Sequence, residues 1–287
     1  MSFEKSSAFG RLGKYQPIDF TSCQVLPISL GGAMSKMCVL YNNQPHILKF
    51  DKEGSQAIVS EYLACNIAKE LELACQEVVM GFYQGEICCA IKMMTGPSLE
   101  IHTFKEIQEQ SNLRTPNKKK YALNSILEFI KTEQNKRDFQ WMCFFDALIG
   151  NFDRHWGNWG FHKGEMIPMF DNGSSLYPRF ETFEIEQILD YKSDMMLQRV
   201  YEFPTSQIRT SNGKKYSYIN LVEDLVEIFG KEELIKFYEK LDSIDFSKLL
   251  QSDDLRYFFN GDKIRFLENI IRLRKEVIFE RLVKEEL

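Results

Sequence analysis

The stretch GNFDRHWGNWGF, Gly150 to Phe161, sets Asp153, Arg154, His155 and Asn158 among two tryptophans and three glycines. An acid and an amide five positions apart, followed by a second acid at Asp171 in FDNG, can supply oxygen ligands to Mg²⁺ and a proton acceptor to a hydroxyl. Asp153 and Asn158 also suit turn hydrogen bonds. The spacing, an intervening pair of short strands and the second Asp-x-Gly together favour chemistry. Aromatic bulk on both sides implies a polar site held rigidly at the edge of a core.

Three weaker features accompany it. SLGGAMSK, Ser29 to Lys36, places Gly31 and Gly32 between two predicted strands, where backbone N–H groups can face a phosphate. A plain hairpin fits the same residues. Lys49 closes the apolar strand HILKF. Burying its ammonium calls for an anion, whereas an edge strand would let it snorkel to water. Glu61 lies in the first turns of the next helix and could pair with Lys49, or stand as an ordinary exposed helix glutamate.

The elements that must position these residues can be read from apolar spacing. CQVLPISL, KMCVLY and HILKF read as strands separated by GGAMS and NNQP. SQAIVSEYLACNIAKELEL predicts a helix with Ile58, Tyr62, Ile67 and Leu71 near one face and Ser55 as N-cap. EVVMGFYQ and EICCAIKMM add two strands, ended by the Gly-Pro break in TGPSL. Helix-like stretches dominate from about 103 onward. FQWMCFFDALIG is apolar nearly all round and predicts a fully buried helix. WGFHKGEMIPMFDNGSS reads as two short strands around a Lys-Gly turn. The last helix, KIRFLENIIRLRKEVIFERLV, carries Ile264, Leu267, Ile271 and Ile278 on a packing stripe. The expected layout is α+β and two-lobed: a loose arm over 1–15, a small β-rich N-lobe over 16–98 and a larger helical C-lobe over 99–287, with the ligand cleft between the lobes.

Composition narrows the classes. With 287 residues, 44% hydrophobic and 27% charged, the chain can bury a large core. A net charge of −5 gives no global attraction to nucleic acid or anionic membrane, and no apolar run is long enough for a membrane span. Lys118-Lys119-Lys120 reads as a solvated helix start. The seven cysteines are odd in number, lack C-x-x-C spacing and mostly sit in apolar runs, which predicts free thiols in a reducing compartment. A cytoplasmic location follows. Secretion into host cells as an effector, by a route needing no signal peptide, stays open.

Asp-Arg-His-x-x-Asn followed by Asp-x-Gly reverses the usual kinase His-Arg-Asp and resembles the HipA-like serine/threonine kinases and their lipid-kinase relatives. IDFTSCQ, LYNNQPHILKF, SEYLACNIAKELEL, GNFDRHWGNWGF and FDNGSSLYP carry the resemblance in order, from about residue 18 and weakening after about 205. The resemblance implies a two-lobed protein-kinase-like fold and transfer of phosphate from ATP with Mg²⁺. It makes Lys49 the lysine that holds the phosphates, Asp153 the catalytic aspartate, Asn158 and Asp171 the Mg²⁺ ligands, and Gly31 and Gly32 the phosphate loop. It also makes Ser29 an autophosphorylation site, with Ser35 and Ser6-Ser7 as competing acceptors. The implied partners are a protein substrate, the chain itself, and a host or antitoxin-like protein, with no direct contact to nucleic acid. Arg154 and His155 are expected to brace the loop, and Trp156, Trp159 and Phe161 to anchor it. Departures are the missing G-x-G-x-x-G and Ala-Pro-Glu, Asn172 in place of the Asp-Phe-Gly phenylalanine, and a Glu61 only twelve residues after Lys49. A small-molecule or lipid acceptor, or a kinase-shaped effector without turnover, are the alternatives.

Overall fold

Period-two alternation builds the first layer. In β4 (Gln44–Phe50), His46, Leu48 and Phe50 are buried on one face while Ile47 and Lys49 turn to the other. The computed structural model describes residues 15–28, 35–52, 55–94, 100–110, 121–180, 182–189 and 193–285. β4 is central to a six-stranded sheet with β1 (Ile18–Asp19), β2 (Gln24–Leu26), β3 (Lys36–Tyr41), β5 (Val78–Tyr83) and β6 (Glu86–Lys92), in the order β1-β5-β6-β4-β3-β2. Only β1 runs parallel to its neighbour. Phe20, Val39, Leu48, Phe50, Cys88 and Ala90 form one small core.

Helix α1 (Ala57–Glu70) packs against β5 and β6 and joins the large core through Ile58, Leu63, Ile67 and Leu71. Its expected N-cap shifts by one residue. Gln56 occupies the cap without a side-chain bond; Ser55 Oγ accepts from Ala57 N (3.2 Å) and Asp51 Oδ1 from Ile58 N (3.1 Å). Two side chains thus share the orphan donors of the first turn.

The rest is helical, as expected, with small β insertions. α2 (Phe104–Gln110) and α3 (Leu123–Phe129) precede α4 (Glu133–Ile149), the buried helix read from FQWMCFFDALIG. β8 (Gly160–His162) and β9 (Glu165–Met166) make the expected Lys163-Gly164 hairpin, to which β7 (His102–Thr103) adds an unforeseen third strand. A second hairpin, β10 (Thr205–Arg209) with β11 (Lys215–Ser217), was also not legible as strand. It is short, mostly polar and bulged. Among the described residues, α5 (Thr182–Glu186), α6 (Asp194–Tyr201), α7 (Tyr218–Phe229), α8 (Glu232–Ser243), α9 (Phe246–Leu250), α10 (Asp253–Phe258) and α11 (Gly261–Arg274) follow. α11 continues through a π-helical turn, Lys275–Glu280, into α12 (Arg281–Lys284), and Ile264, Leu267, Ile271 and Ile278 are all buried. Within the described residues no helix is long and apolar enough to cross a membrane. Residues 1–14 of the arm, Ser29, Gly31, Gly32, the Gly-Pro break with the lobe boundary near 98, and Lys118-Lys119-Lys120 lie outside the described residues.

Candidate active site

The loop carrying Asp153 and Asn158 is launched by α4. Gly150 ends that helix at φ 63°, a left-handed conformation that glycine adopts without strain, and a Cβ there would strike the Arg274 guanidinium. Asn151 Oδ1 accepts from Asp153 N (3.0 Å), His155 Nδ1 accepts from Gly157 N (3.0 Å), and Asn158 Nδ2 donates to Asp153 O (3.0 Å). These bonds fix the loop and leave the Asn158 amide oxygen as its remaining acceptor.

The tryptophans act as anchors. Trp159 is 2% exposed, stacks on Phe104 with centroids 4.6 Å apart, and donates from Nε1 to Tyr121 Oη (3.1 Å). Tyr121 in turn donates to Arg154 O (2.7 Å). Trp156 O accepts from Lys105 N (2.8 Å), and Phe161 is buried in β8. A stacked, hydrogen-bonded aromatic wall holds the loop without using its acids.

Arg154 braces the loop from within. It is 1% exposed. Nε donates to Asp146 Oδ2 (2.9 Å), Nη1 to Asn158 O (2.9 Å) and to Phe170 O (2.6 Å), and Nη2 to Asn172 Oδ1. One guanidinium therefore joins α4, the loop and FDNG. Asp146 and Asn172 were not read as site residues. The available signal for Asp146 was a lone acid within an apolar helix, which demands a buried cation.

Across the cleft, Lys49 Nζ donates to Glu61 Oε2 (3.1 Å) and Asp171 Oδ1 (2.9 Å). Glu61 is 1% exposed, and its carboxylate also accepts from Asn172 N (2.7 Å) and Gly173 N (3.0 Å). The short spacing after Lys49 does not prevent the pairing. Burial works against the Lys49 charge, but Glu61 and Asp171 outweigh it and raise its pKa. Burial likewise opposes the Asp171 carboxylate, and the Lys49 charge and hydrogen bond outweigh that and hold its pKa low. Asp153 goes the other way. Half-buried, it is pushed above the usual aspartate range chiefly by burial, against the charge of His155 and with that of Asp171.

Lys36, Lys49, Asp153, Asn158 and Asp171 line one cleft of about 910 Å³. Lys36 lies directly opposite Lys49 in the β3–β4 register. The Asp171 carboxylate, whose pKa both lysines lower, offsets their mutual repulsion, and two cations at this end of the cleft suit phosphate. In the sequence Lys36 carries no signal beyond closing the SLGGAMSK segment. Among the described residues no group of three or more His, Cys, Asp or Glu could hold a metal by itself. The Asn158 amide oxygen and the Asp171 carboxylate, 47% exposed, are hard oxygen donors that suit Mg²⁺ once phosphate oxygens complete the set.

A β-rich N-terminal part joined to a helical part, with a glutamate-paired lysine lining one cleft with an Asp/Asn loop and a second Asp, is a protein-kinase-like arrangement. Comparison with known proteins narrows this. Residues 28–230 match the HipA-like C-terminal domain, and the chain belongs to that family. It is 33% identical over 227 residues to the serine/threonine-protein kinase CtkA of Helicobacter pylori strain J99, covering 71% of this chain and 70% of that protein. The crystal structure of the H. pylori proinflammatory kinase CtkA superposes with a TM-score of 0.75 at 28% identity, covering 94% of this chain and all of that one. HipA of Shewanella oneidensis MR-1, solved with HipB and operator DNA, shares the fold at TM-score 0.53 and 14% identity, over 91% of this chain and 68% of that one.

Proposed function

We propose that this kinase transfers the γ-phosphoryl group of ATP, in the presence of Mg²⁺, to serine or threonine hydroxyls of a protein substrate and of the chain itself. The observation that carries the reading is the convergence of Lys49, held by Glu61 and Asp171, with Asp153 and Asn158 across one cleft. Lys49 and Lys36 would hold phosphate oxygens, and Gly31 and Gly32 are proposed to join them in phosphate binding. Asn158 and Asp171 would hold Mg²⁺, which supplies neutralisation of the phosphate charge. Asp153 would accept the proton of the acceptor hydroxyl, and burial, by raising its pKa, makes it a stronger base than an ordinary aspartate. The rigid loop contributes preorganisation. A protein acceptor is preferred to a lipid or small molecule because the 33%-identical relative carries the name of a serine/threonine-protein kinase.

Ser29 is the proposed autophosphorylation site. Phosphate there adds roughly −2 charge beside the nucleotide and would repel it. The lobe boundary is proposed near residue 98. An antitoxin-like partner is proposed on the fold shared with the HipB-bound HipA.

Incubation of the folded chain with labelled ATP and Mg²⁺, followed by phosphosite mapping on itself and on added lysate, tests the reading. Label on serine or threonine, absent with Asp153→Asn, is expected. No incorporation by the wild-type chain at any acceptor overturns it.

A further inference from the structure

Cys65 and Cys75 stand beneath the metal motif with their sulfurs 3.2 Å apart. Both are free thiols; Cys65 is buried and Cys75 is partly exposed. Cys65 follows Glu61 by one turn of α1. Cys75 bridges to Met169, and that contact is closed on both sides by Met169 N donating to Ala74 O (2.8 Å) and Gln76 N donating to Met169 O (2.9 Å). The Asn172 amide sits against the pair, Nδ2 lying 3.4 Å from Cys75 Sγ and 3.7 Å from Cys65 Sγ. Its oxygen is held by Arg154 and its backbone N–H by Glu61. The thiols therefore touch, through one fully buried asparagine, the two groups that hold the backbone and side chain next to Asp171.

We infer that Cys65 and Cys75 form a reversible disulfide on exposure to a hydroperoxide, and that the bond switches the kinase off by displacing Asn172. The switching part rests on the proposed function above. A peroxide oxidises the Cys75 thiol to a sulfenic acid, the hydroperoxide O–O bond breaking and its alcohol or water leaving. The Cys65 sulfur then attacks the Cys75 sulfur, the S–S bond forms, the S–O bond breaks, and the Cys65 proton leaves with the hydroxyl as a second water. Two thiols are oxidised and one peroxide is reduced; a dithiol reductant reverses the change.

The order of events follows from access. Cys75 is the partly exposed thiol. The Cys65 pKa is pushed well up, first by its hydrogen bond with Cys75 and then by burial, so it stays a thiol until the sulfenic acid forms beside it. Bonding brings the sulfurs closer by about 1.1 Å from 3.2 Å. The pair also loses its S–H donors and presents weaker acceptors to the Asn172 amide. Asn172 lies between Asp171 and Gly173, so this strain reaches the Lys49–Asp171 and Glu61–Gly173 contacts. A displacement on the order of 1 Å at such groups can slow transfer by about 10²-fold.

The test treats the full chain with hydrogen peroxide, alkylates it, and maps peptides by mass spectrometry. A Cys65–Cys75 cross-linked peptide is expected, with ATP-dependent labelling reduced roughly 10- to 10²-fold and restored by dithiothreitol. Cys75→Ser should label like the reduced wild type and keep its activity in peroxide; Cys65→Ser should do the same. Hydrogen exchange over residues 169–173 should change with oxidation in the wild type alone. If peroxide yields no such cross-link in the folded chain, or yields it with exchange and labelling unchanged, the inference is overturned. Equal peroxide loss in both serine variants overturns it too. Should the reduced wild type label no acceptor, the kinase reading fails, while the cross-link and exchange still decide whether the thiol pair moves FDNG.

Discussion

Glu61 Oε2 accepts 3.1 Å from Lys49 Nζ and 3.0 Å from Gly173 N, so one buried carboxylate ties the β4 lysine to the FDNG segment. The other oxygen takes Asn172 N at 2.7 Å. Glu61 thus sets the position of Lys49 and Asp171 at once, which an ion pair alone would not do.

Glu61→Gln should therefore damage more than the lysine. A carboxamide offers one acceptor oxygen in place of two, and its NH₂ faces backbone donors. The expected results are about 1–3 kcal/mol of lost stability from a buried donor left unpaired, and transfer slowed by roughly 10–10²-fold through misplaced groups. Urea unfolding and a labelled-ATP assay measure the two. Unchanged transfer would show that Lys49 is held well enough by Asp171 alone.

Asp146 and Arg154 form a pair that is 3% and 1% exposed in the side chain. Removing one partner strands a buried charge. Asp146→Asn should cost about 3–5 kcal/mol, read as a lower urea midpoint. Adding Arg154→Met should recover part of that stability without recovering transfer, because the guanidinium also holds Asn158 O and Phe170 O. A double variant as unstable as the single would mean that the Arg154 backbone contacts, and not its charge balance, dominate.

Asp153 and Asp171 should fail differently as asparagines. Asp171 bonds Lys49, and its charge is proposed to serve the metal. Asp171→Asn should weaken Mg²⁺-ATP binding together with transfer. Asp153→Asn should keep near-normal nucleotide affinity while transfer falls by roughly 10²–10⁴-fold, as for a lost general base. Calorimetric titration beside the labelling assay separates them, and the opposite pattern reverses the roles. The pH profile gives a second readout. Asp153 must be ionised to act, and burial raises its pKa in the folded chain, so transfer should rise with pH through a limb above the ordinary aspartate range. The Lys215 charge lowers that pKa, so Lys215→Ala should move the limb to higher pH. A limb that does not move would place the titration elsewhere.

The parts of this chain that were legible are those in which local pattern and tertiary demand agree. Short apolar runs bounded by turn residues exposed β3, β4, β5 and β6, and an all-round apolar run exposed α4. Asp153, Asn158 and Asp171 could be read because their spacing lies within a short stretch of chain. Residues recruited from distant elements were harder. Lys36 joins the cleft only through β-sheet register, and Asp146 becomes part of the site only when Arg154 folds back onto α4. Glu61 resembled any helix glutamate until its burial was known. The β10–β11 hairpin lacks apolar alternation strong enough to register, and its pairing was visible only in space.

Lys263 offers a test of stability at a residue that does not line the proposed cleft. It is 2% exposed, and Nζ donates to Tyr177 O at 2.5 Å. Burial lowers its pKa to about 7, with the Glu184 charge opposing only in part. In the unfolded chain the value returns to about 10.4. Between these limits the unfolded chain binds a proton that the folded chain has released, so stability should rise as pH increases from about 7 towards 10. Below pH 7 both states are charged and the burial penalty is present in full. Lys263→Met removes the titration and also leaves the Tyr177 carbonyl without this donor, so its absolute effect has two parts. The pH dependence has one. Urea midpoints of wild type and variant at pH 7, 8 and 9 should move relative to each other, with the wild type gaining on the variant at each step. Other groups titrating in this range cancel in that difference. A constant difference would mean that Lys263 keeps its proton when buried, held by the Tyr177 carbonyl and Glu184.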